Sequence, residues 1–258
     1  MITDNKDLKI ALKAARAGAY AVMEGYGKNH GSRIKEASKS IVTDTDIEAE
    51  RAILGILGSE SDYGILSEES GSTGKDDGPK WIVDPLDGTS NFARYIPLFA
   101  VSVALMEGPE ILAGVIIDPV NNVEYSASKN EGAYCNGDLL LPLHSGNQIP
   151  AVFVNHGHRQ EDRLKFGKIV SRLSDSYNLR KFGTTALELC YVAGGMTEGF
   201  ICSGDEIWDF AAGVLIASEA GCVFSDWQGR PWNGQTSSVI VARPDLHEDI
   251  VRKISDLQ

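Results

Sequence analysis

Trp81-Ile82-Val83-Asp84-Pro85-Leu86-Asp87-Gly88-Thr89-Ser90-Asn91-Phe92 sets two carboxylates, a turn and a hydroxyl at the end of an apolar run. Residues 81–83 read as a short buried strand that Pro85 should stop, and Gly88-Thr89-Ser90 as the start of a helix. Both aspartates then stand at the carboxyl end of a strand. Hard cations such as Mg²⁺ take carboxylate and carbonyl oxygens, so Asp84, Asp87 and the Leu86 carbonyl form a set able to hold one or two ions. Free N–H groups at Gly88 and Thr89 would face a phosphate there. Taken alone, Asp-Gly-Thr is an ordinary turn capped by its aspartate. The longer string outlines a metal-assisted phosphate site.

A chain of 258 residues can bury a sizeable core, as one large domain or two closely joined halves. We expect an N-terminal α+β half at 1–148 that carries most of the metal ligands, and an α/β half at 149–258 that completes the site, together one compact unit. No apolar run approaches the length of a membrane span, and Asp4, Lys6, Asp7 and Lys9 precede a mixed helix rather than a signal-peptide core. The expectation is a cytoplasmic protein with no membrane partner. Cys135, Cys190, Cys202 and Cys222 are scattered without a Cys-x-x-Cys spacing, which favours reduced thiols over a disulfide framework or zinc site. A net charge of −12 argues against a nucleic-acid surface, which needs clustered Lys and Arg. It also requires cations wherever an anionic substrate is to enter an acidic cleft.

Apolar residues at helical spacing predict a helix over 7–27, with Asp4 near its start, and Thr45-Asp46-Ile47-Glu48 has the spacing of a capping box opening a second helix. A strand over 64–67 leads to Glu68, and 71–79 reads as a polar loop. Residues 98–118 read as a hairpin about Glu107-Gly108-Pro109, and Asn121-Asn122 turns the chain into a further strand. From Ile149 onward strands at 151–155, 179–182, 200–202 and 239–242 alternate with helices at 161–174, 184–195, 209–220 and 245–257. Two sheets interleaved with helix layers are implied.

With Glu68-Glu69-Ser70 and Trp208-Asp209-Phe210-Ala211-Ala212-Gly213, the opening string resembles the motifs of the inositol monophosphatase family of Mg²⁺-dependent, lithium-sensitive phosphatases, in the same order and at similar spacing. The resemblance covers nearly the whole chain and implies the layered αβαβα sugar-phosphatase fold. It implies that Glu68, Asp84 and the Leu86 carbonyl hold a first Mg²⁺, and that Asp84, Asp87 and Asp209 hold a second, with two or three ions in all. Asp46, after Val42-Thr43, resembles the family residue that partners a catalytic threonine; alone it would be a helix cap, and both roles are compatible. In the mechanism this implies, Thr89 and Glu68 orient and activate a water that attacks phosphorus in line, without a phosphoenzyme, and a water held by Asp209 protonates the leaving alkoxide. The Gly88 and Thr89 amides would neutralise phosphoryl charge. An Asp-x-Asp phosphatase is disfavoured, because the carboxylates here are spaced Asp-x-x-Asp.

The substrate is implied less sharply: inositol monophosphate or a similar small polyol or sugar phosphate. Histidinol phosphate, fructose 1,6-bisphosphate and 3′-phosphoadenosine 5′-phosphate are rivals on the same fold, and a noncatalytic metabolite- or protein-binding member is the rival of another class. Gly183-Thr184-Thr185 resembles the turn that lines the polyol pocket, with Thr185 in place of the usual alanine. Cys202 stands where inositol phosphatases usually carry a glutamate that binds substrate hydroxyls; Asp205 and Glu206 are candidates to replace it. Ser40 replaces a common aspartate in the loop that carries Lys35 and Lys39. The family also implies a homodimer, paired through the region 98–134. His156-Gly157-His158 is read as polar surface or cleft rather than a transition-metal site, for lack of a third ligand. Trp81 and Trp208 are read as packing anchors.

Overall fold

The computed structural model describes residues 5–28, 31–34, 41–141 and 149–257; Asp4, Lys35, Lys39 and Ser40 lie outside them. The chain begins with α1 (Lys6–Gly25), β1 (Ser32–Ile34), β2 (Ile41–Thr43), α2 (Asp44–Glu60), β3 (Gly64–Ser67) and β4 (Gly71–Thr73). It continues through β5 (Lys80–Asp87), the single turn α3 (Thr89–Phe92), β6 (Ala100–Glu107), β7 (Glu110–Asp118), β8 (Val123–Ser128), β9 (Ala133–Cys135) and β10 (Asp138–Leu139). The later part holds β11 (Ala151–His156), α4 (Gln160–Leu173), β12 (Asn178–Arg180), α5 (Thr185–Ala193), β13 (Gly199–Ser203), α6 (Ile207–Glu219), β14 (Val223–Asp226), β15 (Val239–Ala242) and α7 (Pro244–Ile254).

Local chemistry explains two shifts from the sequence expectation. Asn5 starts α1, its side chain accepting the N–H groups of Asp7 at 3.0 Å and Leu8 at 3.2 Å. At α2 the cap is Thr43 rather than Thr45, because the Asp46 carboxylate turns back to the Thr43 N–H at 2.8 Å and hydroxyl at 2.5 Å. Pro85 does not stop its strand either. β5 pairs with β6 from Asp84↔Ser102 to Asp87↔Ala100, one extra residue on the β5 side, and the proline sits in that bulge where no ladder N–H is needed.

The eight-stranded sheet has the order β10-β9-β8-β7-β6-β5-β3-β4, antiparallel except where β3 runs parallel to β5. The five-stranded sheet, β12-β11-β13-β15-β14, runs parallel among its first three strands. A third sheet, the β1–β2 hairpin, was not expected from sequence. Helices α1 and α2 cover one face of the large sheet, α5 and α6 lie between the sheets, and α4 and α7 cover the outer face of the small one. That is the layered αβαβα architecture, with one apolar core per interface: Ile53, Trp81 and Phe99 in the first, Phe153, Phe200 and Phe210 in the second, Val154, Ile201 and Ile250 in the third. Trp81 is fully buried with its indole N–H on Ser61 Oγ at 2.8 Å. α6 lies tight on the large sheet. A Cβ on Gly114 of β7 would come within 3.0 Å of the Ala212 backbone, so the small residues after Asp209 permit the contact that brings Asp209 to the strand ends.

Candidate metal and phosphate site

Two distant stretches meet at the site. The end of β5 brings Asp84 and Asp87, the first turn of α6 brings Asp209, and one oxygen from each lies within 4.8 Å of the others. Each carboxylate is also anchored. Asp84 Oδ1 accepts the Leu86 N–H at 3.0 Å, which shapes the chain around Pro85. Asp87 Oδ2 accepts the Thr184 hydroxyl at 2.5 Å and the Ala186 N–H at 2.8 Å, both from the start of α5. Asp209 Oδ2 accepts the Glu206 N–H at 2.7 Å.

Thr89 follows at the head of α3, its hydroxyl 2.9 Å from the Leu86 carbonyl and 3.0 Å from Asp46 Oδ1. Asp46 is fully buried and held on its other oxygen by Thr43, so cap and threonine partner are one residue. Gly88 takes the left-handed conformation, φ 88°, which turns the chain from strand to helix. Glu68, just past β3, donates its N–H to the Val83 carbonyl at 3.1 Å, which ties its backbone to the end of β5; the close trio is Asp84, Asp87 and Asp209.

Three supporting residues escaped the sequence reading. Glu50 Oε1 accepts from Ser67 Oγ at 2.5 Å, Ser70 N at 3.0 Å and Ser70 Oγ at 3.1 Å, gripping the chain on both sides of Glu68. Its signal was a carboxylate on the buried side of α2, at helical spacing with Asp46, Ile53 and Leu57. The Asn91 amide donates to the Leu98 and Phe182 carbonyls, 2.8 Å each, and ties the metal loop to the turn before α5. Glu188, fully buried on α5, accepts the Phe182 N–H at 2.6 Å and the Gly183 N–H at 3.1 Å and fixes that turn from below.

Burial, then mutual repulsion with Glu68 and the other aspartates, pushes the Asp84 and Asp209 carboxyls well above the usual carboxylate range. Burial lifts Asp87 to about 7 and Asp46 to about 6, against the hydrogen bonds from Thr184 and Ala186 to one and from Thr43 and Thr89 to the other. Crowded, oxygen-only donors whose negative charge is this costly fit a hard divalent cation. Asp84, Asp87 and Asp209 form a cluster that could hold one.

The description "Inositol monophosphatase family" fits residues 4–258. The chain belongs to the inositol monophosphatase family. It is 33% identical to a Nus factor SuhB of Pasteurella multocida, over 97% of this chain and 96% of that protein. It is 31% identical to an inositol-1-monophosphatase of Mesorhizobium japonicum, over 96% of this chain and 95% of that one. The extragenic suppressor protein suhB of Bartonella henselae superposes with a TM-score of 0.89 at 30% identity, covering 98% of this chain and 99% of its own.

The residues expected at the polyol pocket have these partners in the structure. Cys202 has no exposed surface, and its thiol donates to the Ser237 carbonyl at 3.4 Å. Thr184 is turned onto Asp87, and Thr185 onto Asp205 at 2.8 Å, with Asn155 Nδ2 donating to Thr185 Oγ1 at 2.7 Å. Glu206 is exposed and pairs with Arg159 at 3.5 Å. The His156 ring packs edge-on against Phe166 with Nδ1 2.8 Å from the Gly157 carbonyl. A cavity of about 590 Å³ elsewhere, lined by Arg16, Tyr20, Met23 and Val123, holds none of these groups, and its Arg16 is committed to Glu124 at 2.7 Å.

Proposed function

We propose that the protein is a Mg²⁺-dependent phosphomonoesterase acting on inositol monophosphate or a similar small polyol or sugar phosphate. The observation that carries this reading is the convergence of Asp84, Asp87 and Asp209 beside the Thr89–Asp46 pair, at a turn whose Gly88 and Thr89 amides head a helix. A relative named as an inositol-1-monophosphatase supports the substrate class. Asp84, Asp87, Asp209, Glu68 and the Leu86 carbonyl would hold Mg²⁺, which when bound would supply Lewis acidity to water and positive charge against the phosphoryl oxygens.

The chain's own residues do the rest. The Thr89 hydroxyl lies within reach of Asp46 Oδ1 and the Leu86 carbonyl; with its proton directed to Asp46 it keeps an oxygen lone pair toward water, and as the water proton passes to Thr89 Oγ1 the threonine's own proton passes to the Asp46 carboxylate. Glu68 orients that water from the β3 side. Asp209 holds the water that protonates the leaving alkoxide, and Asp87 is kept in place by Thr184 and Ala186.

Phosphate release with and without Mg²⁺ tests the reading, across inositol 1-phosphate, histidinol phosphate, fructose 1,6-bisphosphate and 3′-phosphoadenosine 5′-phosphate, with lithium as an inhibitor. No release from any ester under Mg²⁺ would refute it. The second reading, a noncatalytic protein that binds a macromolecular partner, is favoured by the relative named as a Nus factor. As part of the first reading we take the halves 1–148 and 149–258 as one unit, on the packing of α5 and α6 against strands of the large sheet. We also take the protein as a cytoplasmic homodimer, supported by four free cysteines for the former and family membership for the latter.

A further inference from the structure

Strands β12, β11 and β13 are parallel neighbours, and the space beyond the carboxyl ends of such strands is where open α/β sheets bind ligands. Beyond β12 come Lys181 and the turn at Gly183; beyond β13 comes Asp205, in the loop that leads to Asp209. Asp205 is 4% exposed, and its Oδ2 is held by the Thr185 hydroxyl, whose own oxygen accepts from Asn155. The direction of both hydrogen bonds is therefore set: Asn155 donates to Thr185, and Thr185 donates to Asp205. A buried polar chain of this kind adds nothing to apolar packing and orients one carboxylate.

Thr184 and Thr185, adjacent at the head of α5, hold Asp87 and Asp205 respectively, which sets Asp205 beside the acidic trio. Lys181 follows β12 at the same edge of the sheet, its ammonium 5.0 Å from the Phe166 ring centroid. A carboxylate accepts and an ammonium donates, so the two match adjacent hydroxyls, one donating to Asp205 and the next accepting from Lys181. Of the alternatives, the Cys202 thiol is given to the Ser237 carbonyl and Glu206 pairs with Arg159.

We infer that Asp205, oriented by Thr185 and Asn155 and flanked by Lys181, is the residue that recognises the hydroxyl-bearing part of the substrate. This rests on the phosphatase reading above and deepens it. A phosphomonoester without such hydroxyls gains nothing from the carboxylate, so the assignment is read as selectivity.

The full chain, Asp205→Asn, Asp205→Ala and Thr185→Val are assayed in Mg²⁺ with inositol 1-phosphate and with p-nitrophenyl phosphate, whose leaving group carries no aliphatic hydroxyl. In Asp205→Ala the ratio of kcat/KM between the two esters should fall by about tenfold to a hundredfold, through KM on the inositol ester. Thr185→Val should move it the same way by less. A structural role would depress both esters together and leave the ratio where it was, which overturns the assignment. If the alanine variant shows no thermal transition, Asp205→Asn decides: a ratio lowered several-fold supports the assignment and an unchanged one overturns it. If the wild type releases phosphate from neither ester, the phosphatase reading fails instead. Calorimetric titration of inositol 1-phosphate in Mg²⁺ then decides Asp205, with weaker binding by Asp205→Asn in support and equal binding, or none by the wild type, against.

Discussion

Asp87 and Thr89 stand two residues apart at the end of β5 and do different work, which their variants should separate. Asp87→Asn keeps an oxygen for Thr184 and Ala186 but removes the charge, and Asp209→Asn does the same at the head of α6. Both should abolish Mg²⁺-dependent phosphate release while the protein stays folded, because each takes an anionic ligand from the close trio. Full activity in chelator would refute this. Thr89→Val keeps shape and loses the contacts to Asp46 and the Leu86 carbonyl. Its kcat should drop by about tenfold to a thousandfold with little change in KM, as for a lost orienting contact. Steady-state kinetics with unchanged kcat would remove Thr89 from the mechanism.

At the level of elements, the site depends on three joints: the bulge at Pro85, the turn at Gly88 and the start of α5. Gly88 is the most constrained, since an added Cβ would both force a left-handed non-glycine and come 2.9 Å from the Leu98 carbonyl. Gly88→Ala should therefore cost about 1–3 kcal/mol in denaturant unfolding. Because Gly88 is the hinge between Asp87 and Thr89, Mg²⁺ affinity should fall as well. A variant as stable as the wild type would show that the backbone relaxes freely there.

Across the whole molecule, the buried acids set the pH response of the metal-free protein. Asp46 and Asp205 at about 6, Asp87 at about 7 and Glu188 at about 8 all lie above their unfolded values, chiefly through burial. The native state then binds more protons than the unfolded chain, so stability falls as pH rises from about 4 through about 8. Thermal scans in chelator should show a lower Tm at pH 8 than at pH 5, and Mg²⁺ should remove much of the difference by binding the native state. A Tm that rises over this range would contradict the raised carboxyl pKa values that burial gives. Asp87→Asn should raise the metal-free Tm at pH 8 by about 2–8 °C, taking ~1–2 kcal/mol for the cost of a buried charge removed. Assembly is a separate matter. In the region 98–134, β6 and β7 are almost wholly buried between helix layers, so a partner there would meet turns rather than strand faces. Light scattering at micromolar concentration should give twice the 27.8 kDa chain mass; a monomer would contradict the family expectation.

The metal loop and the helices were legible in the sequence because their causes are local. An apolar run closed by Asp-x-x-Asp-Gly can be read from strand burial and turn chemistry alone, and the helices declare themselves by apolar period. Strands β4, β9, β10 and β14 were missed, being two to four residues long and made by their neighbours' pairing rather than by a pattern of their own. The same holds for the caps, where Thr43 and Thr45 both had the chemistry and only the position of Asp46 chose between them. Only the tertiary structure shows the partners of the residues expected at the polyol pocket. All five residues of β13 are buried, so alternation along the strand does not tell which side chains face the cleft, and Cys202 could not be placed. Thr184 and Thr185 are adjacent and alike, yet one serves Asp87 and the other Asp205, carboxylates 97 and 20 residues away in the chain. Partners at such separations are chosen by how the two sheets pack about α5 and α6, and packing is a property of the whole fold.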